Sequence, residues 1–139
     1  MIKKILLPLL VLCVAMLVTG CGTSRGFDRY EITMEDGTVI MDVTAMSRHR
    51  GGQFINQLTT PHIRDTHLGR NIRVAGEFVQ RGTSNYIHVW DNCCGVDIRI
   101  HYTLGELPQA GADIVIEGIW TRDSNSVIFF FAVSSLTVV

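Results

Sequence analysis

Past its fourth residue the chain contains no lysine: both of its lysines, Lys3 and Lys4, stand in the opening segment. Of its 139 residues 12 are basic and 13 acidic, so setting the lysines aside leaves 12 − 2 = 10 arginines against 13 acids, a net charge of −3. That balance lacks the basic excess expected of a protein that binds polyanions, and nucleic acid is disfavoured as a partner. The short signatures of common chemistries are missing too. There is no strand-to-helix nucleophile elbow, no HExxH, no phosphate-binding glycine loop and no CxxC, so the expectation is a protein without catalysis and without a cofactor. Asp91 and Asp97 flank one turn and offer a carboxylate pair, but acids at strand ends are ordinary turn residues. Long apolar runs are absent as well. The one from Ile5 to Val18, broken by Pro8, is too short and too close to the terminus for a transmembrane helix.

What that run does match is a secretory leader, two lysines followed by apolar residues. Its end, Val18-Thr19-Gly20-Cys21, resembles the bacterial lipobox, in which small residues precede a cysteine that is acylated and becomes the new N-terminus. The resemblance implies that residues 1–20 are removed and that Cys21 carries a diacylglyceryl thioether and an N-acyl chain. Several acyl chains hold a protein on a membrane far more firmly than one. Gly22 stands where the inner-membrane retention signal of enteric bacteria has Asp. The expected address is therefore the cell envelope, and the outer membrane facing the periplasm where the cell has two membranes. Residues 21–27 read as a tether and 28–139 as a single β domain.

Tyr30 to Met34 and Thr38 to Thr44 are β-rich runs around Glu35-Asp36-Gly37, a hairpin signal. Ser47 to Gly52 has no periodicity and reads as a solvated loop, with Arg48, His49 and Arg50 as a minor anion-site option. Gln53 to Leu58 is too short to assign before Pro61. His62 and His67 are spaced as zinc ligands can be, but no further ligands stand at defined positions, which favours surface histidines.

From Asn71 the chain is consistently β. Ile72-x-Val74-x-Gly76-x-Phe78 and Ile114-x-Ile116-x-Gly118-x-Trp120 share one pattern, each with a glycine where a strand bends. Between them Tyr86 to Asp91 and Val96 to Tyr102 alternate strictly and are joined by Asn92, Cys93, Cys94 and Gly95. Setting Asp91 opposite Val96 pairs Val89 with Ile98 and Ile87 with Ile100 on an apolar face. The other face then pairs Trp90 with Asp97, His88 with Arg99 and Tyr86 with His101. Val127 to Val133 is apolar on both faces, and the N-terminal β segment is the candidate to cover the outer one.

Strands in this rhythm, with Gly76 in the first, the hairpin from Tyr86 to Tyr102 in the middle and Gly111-Ala112-Asp113-Ile114 entering the fourth, resemble the oligonucleotide/oligosaccharide-binding (OB) fold. The resemblance covers residues 70 to about 137. It implies an all-β, five-stranded OB-like barrel with an additional N-terminal hairpin, and ligands against strands two and three and their flanking loops. One departure stands out: Thr103 to Ala110, with Gly105 and Pro108, cannot hold the helix that often precedes the fourth strand.

Two sets of residues are candidates for function. Tyr86, His88, Trp90, Arg99 and His101 offer flat rings and a guanidinium, a platform for sugars, bases or a partner's side chains, although such residues also pair across strands for stability alone. Cys93 and Cys94 are the thiols left once Cys13 is removed and Cys21 acylated. Ordinary thiols, a strained vicinal disulfide, or a metal site with His88 or His101 all remain open. The metal option is disfavoured if successive side chains point apart, as they do in extended chain. The expectation is thus a lipid-anchored, noncatalytic binding or assembly module with an envelope protein or glycan partner. The alternative is a redox or metal-handling envelope protein built on Cys93 and Cys94.

Overall fold

In the computed structural model, residues 26–91 and 93–139 are described; the leader, Cys21 and Asn92 lie outside the described residues. Alternation over the second half of the chain produces five strands: β3 (Asn71–Arg81), β4 (Ser84–Val89), β5 (Val96–His101), β6 (Asp113–Arg122) and β7 (Phe129–Val138). β3 is long enough to serve two partners. Its first half, Asn71 to Glu77, pairs antiparallel with β6, and its second half, Glu77 to Arg81, pairs antiparallel with β4. The other pairings are β4 with β5, β5 with β7 in parallel, and β7 with β6. The circuit β3–β4–β5–β7–β6–β3 therefore returns to its start, and the fold is all-β in its strands and OB-like.

Inward-facing residues of this curled sheet form one core. Ile72, Val74 and Phe78 meet Ile87, Val89, Ile98 and Ile100 from one side and Ile114, Ile116, Trp120, Phe131 and Val133 from the other. At the expected bend, Gly76 lies where β3 leaves β6 for β4. A side chain there would collide with the carbonyl oxygen of His88 and come within 2.8 Å of Ile87 Cγ1.

The expected N-terminal hairpin is present as β1 (Glu31–Thr33) and β2 (Val39–Asp42), with Gly37 N–H closing the turn onto the Met34 carbonyl at 3.0 Å. It does not cover β7. β2 instead extends the sheet alongside the start of β3, and Arg73 on β3 binds Asp42 on β2 at 3.3 Å and Glu117 on β6 at 2.6 Å. The aromatic run of β7 is accommodated differently: Phe131 points into the core, Phe129 stacks on Trp120 at 5.6 Å, and Phe130 lies beside His101. Val127, before the strand begins, stays 78% exposed.

The segment expected to be a loop followed by an unassigned stretch is a helix, α1 (Arg48–Thr59). Ser47 caps it by accepting from Arg50 N–H, and Gly51, Phe54, Ile55 and Leu58 fall at the i, i+3, i+4, i+7 spacing of one buried face. Gly51 is not a breaker here. It lies buried against Val43, whose Cγ1 would stand in ordinary contact, 3.4 Å, from an added Cβ. The two arginines of the expected anion site are structural: Arg50 donates to the Gly26 carbonyl at 2.7 Å and covers the Phe27 ring, while Arg48 lies over Trp90.

His67 is not the surface residue expected. It is buried at 6% exposure, edge-on to Phe54 at 5.1 Å, and its Nε2 donates to Gln57 Oε1 at 3.0 Å. His62, by contrast, is exposed. Residues 103–110 contain no helix, as their glycine and proline imply. Among the described residues no helix is long and apolar enough to cross a membrane.

Candidate functional site

The β4–β5 hairpin has the two faces expected of it but a register displaced by two residues. Val89 pairs with Val96, Ile87 with Ile98 and Asn85 with Ile100, so the connecting loop runs from Trp90 to Gly95. An even displacement keeps every side chain on its face, and Ile87, Val89, Ile98 and Ile100 are all buried. Asp91 is the reason the ladder ends early. Its Oδ1 accepts the N–H groups of Cys94 at 2.9 Å and Cys93 at 3.0 Å, closing a side-chain turn that takes Trp90 and Asp91 out of pairing.

On the outer face the new register alters the neighbours. His88 stands opposite Asp97 and donates from Nδ1 to its carboxylate at 2.7 Å, while the Arg81 guanidinium grips the same carboxylate from the end of β3. Tyr86 stands opposite Arg99, whose guanidinium donates to Ser84 Oγ at 2.6 Å and lies 6.0 Å from the tyrosine ring. His101 packs beside Phe130, ring centres 6.1 Å apart. Trp90 leaves the group altogether: it is held by Arg48 of α1, 3.9 Å above its ring. The five residues expected to form one platform are therefore divided. Only Arg99 and His101 share a concave surface.

That surface is a groove of about 410 Å³ at the open end of the hairpin. Arg99 and His101 of β5 line it together with Ser84 and Asn85 of β4, Asp123 from the β6–β7 turn and Phe130 of β7. The last four were missed as site residues. Sequence held an indirect signal for Ser84 and Asn85, which stand at the start of strand two where the fold resemblance places ligands, and none for Asp123 and Phe130. With Arg99 held by Ser84, the groove offers a pre-oriented cation, amide and hydroxyl groups, a carboxylate and two rings. Hydroxyl-rich and anionic groups are the ligand chemistries that such a set of side chains complements.

At the hairpin's other end, Cys93 and Cys94 are exposed and their sulfurs are 3.0 Å apart. The expectation that adjacent side chains diverge fails because residues 93 and 94 are bent around Asp91 and are not extended. The Cys93 thiol also lies 3.4 Å from Asp91 Oδ1. Hydrogen bonds from the backbone at Cys94 and Cys93 hold the Asp91 carboxyl below the usual carboxylate range. The Cys93 thiol is pushed up to about 11 by its contact with Cys94 and then by Asp91, the opposite of the activation that nucleophilic thiols need. Asp91 and Asp97 do not form a carboxylate pair, because Asp97 is committed to His88 and Arg81.

No protein-family model and no curated protein matches this chain. Among solved structures, OBody AM1L10 bound to hen egg-white lysozyme is similar at 17% identity and a TM-score of 0.39, over 52% of this chain and 81% of the other. Asparaginyl-tRNA synthetase from Pyrococcus horikoshii, complexed with asparaginyl-adenylate, is similar at 19% identity and a TM-score of 0.38, over 53% of this chain and 20% of the synthetase.

Proposed function

We propose that the protein is a lipid-anchored, noncatalytic binding module of the cell envelope that holds a glycan in the groove at the open end of the β4–β5 hairpin. The observation that carries this reading is the combination in one groove of Arg99, fixed by Ser84 at 2.6 Å, with the rings of His101 and Phe130. Sugars present alternating hydroxyl edges and apolar ring faces, which suit a fixed donor beside an aromatic surface. A net charge of −3 past the leader weighs against nucleic acid. The anchor rests on the lipobox-like residues ending at Cys21, so Cys21→Ser should leave uncleaved precursor, and a mature chain with an unmodified N-terminus would overturn it.

The binding test is calorimetric titration of the full-length protein in detergent with oligomers of N-acetylglucosamine. Arg99→Ala and Phe130→Ala should each weaken binding about tenfold or more, about 1.4 kcal/mol, with the sugar recovered uncleaved. Cleavage, no binding, or binding indifferent to both substitutions would refute the proposal.

A further inference from the structure

The tip of the β4–β5 hairpin lies at the opposite end from the groove, and its chemistry is of another kind. One ligand atom each from Asp91, Cys93 and Cys94 falls within 4.8 Å of the others, on a single exposed loop. Two thiols and a carboxylate brought together in this way repel as they ionise. Neither sulfur receives a hydrogen bond from a cationic side chain among the described residues.

A second observation points at the same place. His88 donates from Nδ1 to Asp97 at 2.7 Å, so Nε2 is the ring nitrogen left for a metal ion. Nε2 lies next to the tip, since a Cβ built on Gly95 would stand 2.6 Å from it, while His88 stands just outside the group formed by Asp91, Cys93 and Cys94. Gly95 adopts φ 145°, a conformation that side-chain-bearing residues rarely take, so the chain keeps open the space beside Nε2 directly after the two cysteines. An imidazole whose far nitrogen is held by a carboxylate is the usual arrangement of a metal-binding histidine, since the carboxylate orients the ring and raises its basicity.

We propose that the hairpin tip is a binding site for a thiophilic divalent cation of the zinc class, held by the sulfurs of Cys93 and Cys94 and the carboxylate of Asp91, with Nε2 of His88 drawn in from beside Gly95 as the fourth ligand and Asp97 as the orienting partner of His88. Binding expels both thiol protons to water, so two thiolates and one carboxylate face a doubly charged ion and the repulsion among them becomes attraction. At zinc–sulfur distances of about 2.3 Å a tetrahedral ion sets two sulfurs about 3.8 Å apart. The 3.0 Å pair reaches that by a small outward rotation, whereas a disulfide needs closure to about 2.05 Å across adjacent residues. Thiolates, imidazole and carboxylate together suit zinc and its heavier congeners better than magnesium or calcium, which prefer all-oxygen shells.

The test uses the full-length protein in detergent, reduced with a phosphine and freed of metal, titrated with Zn²⁺ alone by calorimetry and with Co²⁺ in an absorption cuvette. One ion should bind per chain, and the cobalt form should show tetrahedral visible bands with sulfur-to-metal charge transfer. Replacing both cysteines by serine should cut affinity at least a hundredfold, and His88→Gln and Asp97→Asn each by tenfold or more. A urea melt of each variant reports folding. If the double variant does not fold, Cys94→Ser and the charge-transfer band carry the same test. Absence of stoichiometric binding, a cobalt spectrum without sulfur ligation, or affinity indifferent to His88→Gln would overturn the assignment. None of these changes touches the groove, so the two sites stand or fall separately.

Discussion

Replacing Gly76 by alanine adds one methyl group at the point where β3 passes from β6 to β4, and the surroundings determine what that methyl costs. It would stand 2.8 Å from Ile87 Cγ1 and 3.0 Å from Val89 Cγ1, and closer still to the carbonyl oxygen of His88. The two side chains have nowhere to retreat, because Ile87 and Val89 are 0% and 2% exposed in the core. Nor does the carbonyl, since His88 is paired to Glu77 on one side and to Asp97 on the other. Overpacking typically costs about 1–3 kcal/mol, and an obstruction that includes backbone belongs at the upper end, about 3 kcal/mol. Alanine also restricts the unfolded chain more than glycine does, which returns about 0.4–1 kcal/mol. The net loss is about 2 kcal/mol. In urea, with a slope of about 1–3 kcal/mol per molar for a small domain, the unfolding midpoint should fall by about 1 M with the slope unchanged. A variant within about 0.5 kcal/mol of the parent would refute the close approach of β3 to the His88 carbonyl at Gly76.

Two further outcomes follow from burial. Ile98→Ala, at a position 4% exposed and paired with Ile87, should cost about 2–5 kcal/mol, while His101→Ala on the exposed face should stay within about 0.5 kcal/mol; equal losses in the same urea melt would contradict the assignment of the two hairpin faces. His67 gives a pH dependence: burial, then the charge of Arg70, lowers its affinity for a proton below the ordinary value of 6.5, so between that value and the lower folded one the unfolded chain binds more protons than the native one. Stability should therefore be flat above about pH 7 and decline as pH falls from about 6.5, and His67→Gln should flatten the decline; an equal decline in the variant would place its cause elsewhere.

How much was legible in advance differs from residue to residue, for identifiable reasons. Alternation at Ile87, Val89, Ile98 and Ile100 specified which face of the hairpin is buried, because parity is a property of each strand alone. It did not specify the offset between the strands. That was decided by Asp91, whose carboxylate binds two N–H groups at the tip and ends the ladder early. For α1 the sequence contains the capping serine and the 51, 54, 55, 58 spacing, but the pair Gly51-Gly52 argues for a loop, and burial of that face against the rest of the core outweighs it. His67 reads as a surface residue until Phe54 and Gln57 arrive from α1 to bury it.

The same division runs through the sites. Local pattern by itself determined the strands, the bend at Gly76, the core face of the central hairpin and the chemical types available on its outer face. Tertiary structure alone decided which of those groups meet. Trp90 is taken by Arg48, 42 residues earlier (90 − 48), while Phe130, 29 residues beyond His101 (130 − 101), completes the groove. Cys93 and Cys94 come together with Asp91 because the loop bends around a carboxylate. A period in the sequence states the direction of a side chain relative to its own strand. Which partner it meets depends on chain closure over tens of residues, and that is settled only when the whole core packs at once.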